Sequence, residues 1–225
     1  TESVEAALKL ARRATGRRGF LHCERSFHGK TLGALSVTGN ANYQRPFEPL
    51  VPGCDCVPFD DLEALERALA SRRFAAFIVE PIQAEGGMVV PHPGYLPAAQ
   101  ELCRKTGTLL VVDEVQTGMG RTGTLFAVDQ LNVEPDIMTL AKSLGGGMIP
   151  IGAMVTRRDL WLKAYGTVQT FALHTTTFGG GSLACAAGLA ALKAVRDENL
   201  PANAEARGHQ LMEGLRRLAA RHSFI

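Results

Sequence analysis

Apolar positions follow two periods, and the two alternate along the chain. Val4, Ala7, Leu8 and Ala11 recur at i, i+3, i+4 and i+7 with Lys9 and Arg12 between them. That spacing predicts an amphipathic opening helix, which Gly16 and Gly19 end. Residues 19–23 then form a short strand candidate, and the small-residue segment 32–37 fits a helix. Residues 40–58, rich in Pro, Asn and Gly, read as loop. Beyond them, helical patterns at 61–71 and 97–105 alternate with buried runs at 74–79, 109–112, 136–140 and 151–155. Two long helical patterns follow, 182–195 and 201–222. Alternation of this kind implies an α/β domain with a mainly parallel sheet. Such sheets bind ligands beyond the carboxyl ends of their strands, where Glu80, Asp113 and Lys142 fall.

Composition narrows the class without naming a chemistry. Of 225 residues, 46% are hydrophobic and 20% charged, an ordinary globular balance. Twenty-four basic against 22 acidic side chains leave +2, so no footprint for nucleic acid is expected. Cysteines 23, 54, 56, 103 and 185 lack the paired spacing of a zinc site and are expected to be buried free thiols, with no metal. No apolar run approaches the roughly 20 residues that span a bilayer. A soluble, cytoplasmic protein without membrane partners is expected. Both ends look cut: Thr1 opens directly on a helical pattern, and Phe224-Ile225 begins a new apolar run. We therefore expect a missing N-terminal loop and a missing C-terminal domain.

Two nucleotide readings compete for the glycine-rich segments. Gly29-Lys30-Thr31 ends like a phosphate loop, but Glu24 stands where that loop needs its first glycine, and a carboxylate there repels phosphate. The triphosphatase reading fails on that residue. The run 118–123, GMGRTG, fits the dinucleotide pattern by letter. Its strand ends too early and no long helix opens after it, so a tight turn is expected.

Asp113 and Lys142 carry the most chemistry. An acid ending the apolar run LLVV, and a lysine ending the next run, suit an aldehyde cofactor with a basic ring nitrogen. The lysine holds the aldehyde as an imine, and partial burial would lower its pKa. The carboxylate, at the end of a buried run, needs a cationic partner, which a pyridinium nitrogen would supply. Glu80 and Glu85 occupy a turn after a buried strand. Hydroxyls and glycines from Thr175 to Gly181 precede a helix start that favours an anion.

Six ordered stretches, TESVEAALKLAR, SFHGKT, VEPIQAEGG, LLVVDEVQTGMGRTG, PDIMTLAKSLGGG and HTTTFGGGSLACAAG, resemble the class III, ornithine-aminotransferase-like pyridoxal-phosphate enzymes. The resemblance implies a fold-type I large domain over residues 1–200, with 201–225 a helix leading to a mostly missing C-terminal small domain. It implies that Lys142 carries pyridoxal 5'-phosphate and shuttles the proton, while Asp113 pairs with the ring nitrogen. Gln116 would bond the ring oxygen, Val115 and Phe27 would cover the ring faces with His28 nearby, and Thr1 would help hold the phosphate. Thr177, with Thr175 and Thr176 as alternatives, would reach the phosphate of a neighbouring subunit in a homodimer. The counterpart of Glu85 contacts a substrate-gating arginine in ornithine-type members. The implied reaction is ping-pong transfer of the terminal amine of a diamine or ω-amino acid to 2-oxoglutarate. A same-fold aminomutase or decarboxylase is the alternative. Three features depart from the family pattern: the glycine before Thr1 and the C-terminal arginine for a substrate carboxylate are absent from the chain, and Gly181-Ser182 stands where Asn-Pro is common.

Overall fold

The structure is a computed structural model and describes residues 1–224. Its elements run α1 (Glu2–Thr15), β1 (Gly19–Cys23), α2 (Leu32–Ser36), α3 (Ala41–Gln44), β2 (Cys54–Val57), α4 (Leu62–Leu69) and β3 (Phe74–Val79). They continue with α5 (Tyr95–Thr106), β4 (Leu109–Asp113), β5 (Ile137–Leu140), β6 (Ala153–Thr156), α6 (Arg158–Tyr165), α7 (Ser182–Asp197) and α8 (Leu200–Ala219). Helix α1 buries Val4, Ala7, Leu8, Leu10 and Ala11. It stops at Gly16, whose φ of 72° lets its N–H turn back to the Arg12 carbonyl.

The six strands form one sheet in the order β2-β1-β3-β4-β5-β6. All neighbours are parallel except β5 and β6. Strands β1 and β3 are buried at every position, because helices cover both faces of the sheet. Alternate residues therefore feed two cores. Phe20, Ala76, Ile78, Val111 and Ile137 meet α1 and α6 through Val4, Leu8, Leu160 and Tyr165. Leu21, Phe77, Val79, Leu110 and Val112 meet α4 and α5 through Leu65, Leu69, Tyr95 and Leu96. The result is the mainly parallel α/β fold expected from the alternating patterns.

Several local expectations need correction. The segment 40–58 contains α3 and the edge strand β2. CDCV has no apolar run, and only Val57 is buried, so pairing with β1 rather than composition makes it a strand. Helix α6 was not anticipated, and the last strand begins at Ala153 and runs antiparallel. Cys23 and Cys103 are buried free thiols, but Cys54 and Cys185 are only half-buried and Cys56 is exposed. Position on an edge strand accounts for Cys56. Among the described residues, no helix is long and apolar enough to cross a membrane.

Candidate active site

The sheet order reverses between β1 and β3, since β2 lies outside β1, and a ligand cavity is expected at that switch point. A cavity of about 200 Å³ is found there. Thr1 borders it from the start of α1, Phe27, His28 and Gly29 from the segment after β1, and Glu80, Ala84 and Glu85 from the turn after β3. Asp113, Val115 and Gln116 come from the end of β4, and Ala141 and Lys142 from the end of β5. The structure thus gathers Thr1, Phe27, His28, Glu85, Asp113, Val115, Gln116 and Lys142 around one space.

Asp113 is a buried acid of the cavity, 3% exposed. Its Oδ2 accepts from His28 Nδ1 at 2.7 Å, and its Oδ1 accepts from the Val115 N–H at 3.1 Å. The sequence reading required a cationic partner for this carboxylate; within the protein, two hydrogen-bond donors fill that need. His28 is itself buried, and its Nε2 has no partner among the described residues.

Lys142 lies across the cavity wall from the β4 turn. It does not end a strand: it opens a short 3-10 turn, Lys142–Gly145, and its φ is 46°. A non-glycine residue in that region costs of order 1–3 kcal/mol and persists only where the surroundings impose it. Here the turn brings Nζ onto Gln116 Oε1, to which it donates a hydrogen bond. The expectation of partial burial is not met, for Lys142 is exposed in this chain. The strand stops two residues earlier, so the side chain stands at the mouth of the site.

Two further acids shape the site. Burial pushes the Glu80 carboxyl above the usual carboxylate range, and its Oε2 accepts from the Phe27 N–H at 3.0 Å. Glu114 is 1% exposed and faces away from the cavity. Its Oε1 accepts from Val128 N–H at 2.9 Å, and the Thr117 hydroxyl donates to Oε2. Desolvation raises this carboxyl too. Glu114 thereby ties the turn carrying Val115 and Gln116 to the 3-10 helix Ala127–Leu131. The sequence gives it no role in an aldehyde-cofactor site, though a second acid after a buried strand was a usable signal.

Thr175, Thr176 and Thr177 are exposed, and none borders this cavity. Thr176, not Thr177, lines an adjoining space of about 680 Å³ that shares Thr1, Ala141 and Lys142. The glycine run 118–123 is a turn, as expected. Gly120 and Gly123 have φ of 89° and 101°, and a Cβ there would lie 3.2 Å from Pro201 Cγ and 3.3 Å from Glu205 Cβ. It packs on α8.

Comparison with known proteins shows the family of the chain. The class-III aminotransferase profile matches residues 1–225. Aminotransferase PigE of Serratia sp. is 49% identical over 225 residues, which is all of this chain and 26% of that protein. Ornithine aminotransferase of Toxoplasma gondii superposes with a TM-score of 0.90 at 42% identity, over 96% of this chain and 52% of its own. An amine transaminase from an uncultivated Pseudomonas species, solved with PLP bound, gives a TM-score of 0.90 at 35% identity, over 98% of this chain and 56% of its own. The chain spans about a quarter of that curated relative and about half of these solved ones. With its fold shared and its whole length matched, the chain belongs to the class-III aminotransferase family.

Proposed function

We propose that this chain is the cofactor-holding part of a pyridoxal-phosphate-dependent aminotransferase. The observation that carries the reading is one cavity holding both an amine, Lys142, just beyond β5, and a buried acid, Asp113, at the end of the adjacent β4. The lining fits the cofactor in kind. A primary amine suits its aldehyde, a carboxylate its ring nitrogen, an aromatic and a branched aliphatic side chain its ring, and an amide its ring oxygen. Bound there, pyridoxal phosphate would supply an electrophilic carbon for the amine and a ring that takes up the electron pair released at the substrate carbon.

The chain's own groups do the rest. Lys142, released from Gln116, is the amine that holds the cofactor and the base that moves a proton at the substrate carbon bearing nitrogen. Asp113, fixed by His28 and Val115, keeps the ring nitrogen protonated. Gln116 would bond the ring oxygen, Phe27 and Val115 would cover the ring, and Thr1 would receive the phosphate at the start of α1. Glu85, exposed at the rim, is placed to meet a substrate-gating cation. Thr177, or its neighbour Thr176, serves a second copy.

The proposed reaction is ping-pong transfer from the terminal amine of a diamine or ω-amino acid to 2-oxoglutarate. A screen of amine donors against the protein carrying this chain, following glutamate formed from 2-oxoglutarate, tests it. Glutamate with a diamine or ω-amino acid supports the reading. Conversion without any oxo acid would instead make the protein an aminomutase, and glutamate from no donor would refute the transfer.

A further inference from the structure

Segment 27–31 belongs to no helix or strand, yet it supplies Phe27 and His28 to the cavity. Its backbone donors must find partners elsewhere. The His28 N–H donates to Thr38 Oγ1 at 3.0 Å, and the Phe27 N–H donates to Glu80 Oε2 at 3.0 Å. Glu80 stands one residue past β3, is 5% exposed and itself borders the cavity. A carboxyl from the neighbouring strand end therefore holds the residue whose ring forms one wall. Tyr43 meets that ring edge-on, with centroids 6.2 Å apart, which fixes its far side.

We propose that Glu80 is a positioning residue whose carboxyl oxygen, by accepting the Phe27 N–H, sets the wall that covers the cofactor ring. The role rests on the reading of the cavity as a pyridoxal-phosphate site. It requires an acceptor oxygen at that point and no negative charge. Burial is the largest influence on Glu80 and works against its ionisation; His28 and the Phe27 N–H oppose it in part, and the neighbouring Asp113 adds to it.

The distinction sets the experiment, which compares Glu80→Gln with Glu80→Leu in the protein carrying this chain. Glutamine keeps an acceptor for the Phe27 N–H, whereas leucine fills the space without one. Amide exchange at Phe27, measured without cofactor, should stay slow in Glu80→Gln and quicken by about tenfold or more in Glu80→Leu. The dissociation constant for pyridoxal phosphate should rise about tenfold in Glu80→Leu and stay within about threefold in Glu80→Gln. Retained Phe27 protection and affinity in Glu80→Leu would overturn the proposal. So would a loss in Glu80→Gln as large as in Glu80→Leu, and the glutamine variant alone decides if the leucine variant does not fold. Should the parent protein bind no pyridoxal phosphate, the functional reading fails. The exchange measurement still decides whether Glu80 holds Phe27.

Discussion

Replacing Asp113 separates the support this carboxylate gives the fold from the charge it gives the site. In Asp113→Ala two acceptors vanish, and His28 Nδ1 and the Val115 N–H lose partners at 2.7 and 3.1 Å. Hydrogen bonds to an ionised group contribute about 1.5–3 kcal/mol each. The two together give about 3–6 kcal/mol, and water entering from the adjoining cavity reduces the loss to roughly 2–4 kcal/mol. Asp113→Asn behaves differently. Its amide oxygen can still accept from Val115. His28 can move its proton to Nε2, now without a partner, and accept the amide N–H at Nδ1. That variant should lose only about 1 kcal/mol. Urea unfolding of the cofactor-free proteins, extrapolated linearly, measures both. Equal stabilities for the alanine and asparagine variants would refute the hydrogen-bond assignment. Activity should not follow stability. Both variants lack the charge that pairs with the ring nitrogen, and both should lose about 10²–10³-fold in transamination rate.

Two other perturbations test the fold beneath the site. Burial holds the His22 imidazole down to about 4 from its ordinary 6.5, so between those pH values the unfolded chain binds the extra proton. His22 thus supports stability that is present above pH 6.5 and lost as pH falls towards 4, about 3 kcal/mol in all. Urea midpoints of the parent should drop more steeply over that window than those of His22→Gln, and parallel curves would contradict the argument. Gly39 packs so closely that a Cβ would lie 2.1 Å from the Cys23 carbonyl oxygen, a backbone atom that cannot yield. Gly39→Ala should cost about 2 kcal/mol or more, whereas Gly208→Ala, in open space within α8, should gain about 0.5–1 kcal/mol. Thermal midpoints falling in the reverse order would refute it.

The central strands were legible because FAAFIV, LLVVD and IMTL are apolar runs buried on both faces, so burial writes them into the composition. Their ends located Asp113 and the neighbourhood of Lys142. Edge strand β2 was hidden because only one of its side chains enters the core, and its identity depends on pairing with β1. Contacts between distant loops left no local pattern. Nothing in the spacing of His28 and Asp113, 85 positions apart, announces their hydrogen bond. Glu114 was overlooked for another reason: its neighbour Asp113 carries the recognisable chemistry, while Glu114 turns away from the cavity to hold the loop. The turn that brings Lys142 onto Gln116 depends on a φ of 46°, which no side-chain pattern displays.

The most direct test concerns Lys142 itself. The protein carrying this chain should acquire a visible absorbance when incubated with pyridoxal phosphate. Borohydride should abolish that absorbance and leave the cofactor covalently fixed on the peptide containing Lys142, and Lys142→Ala should show neither effect. A colourless parent protein, or cofactor fixed on a different lysine with Lys142→Ala unchanged, would contradict the assignment of this cavity.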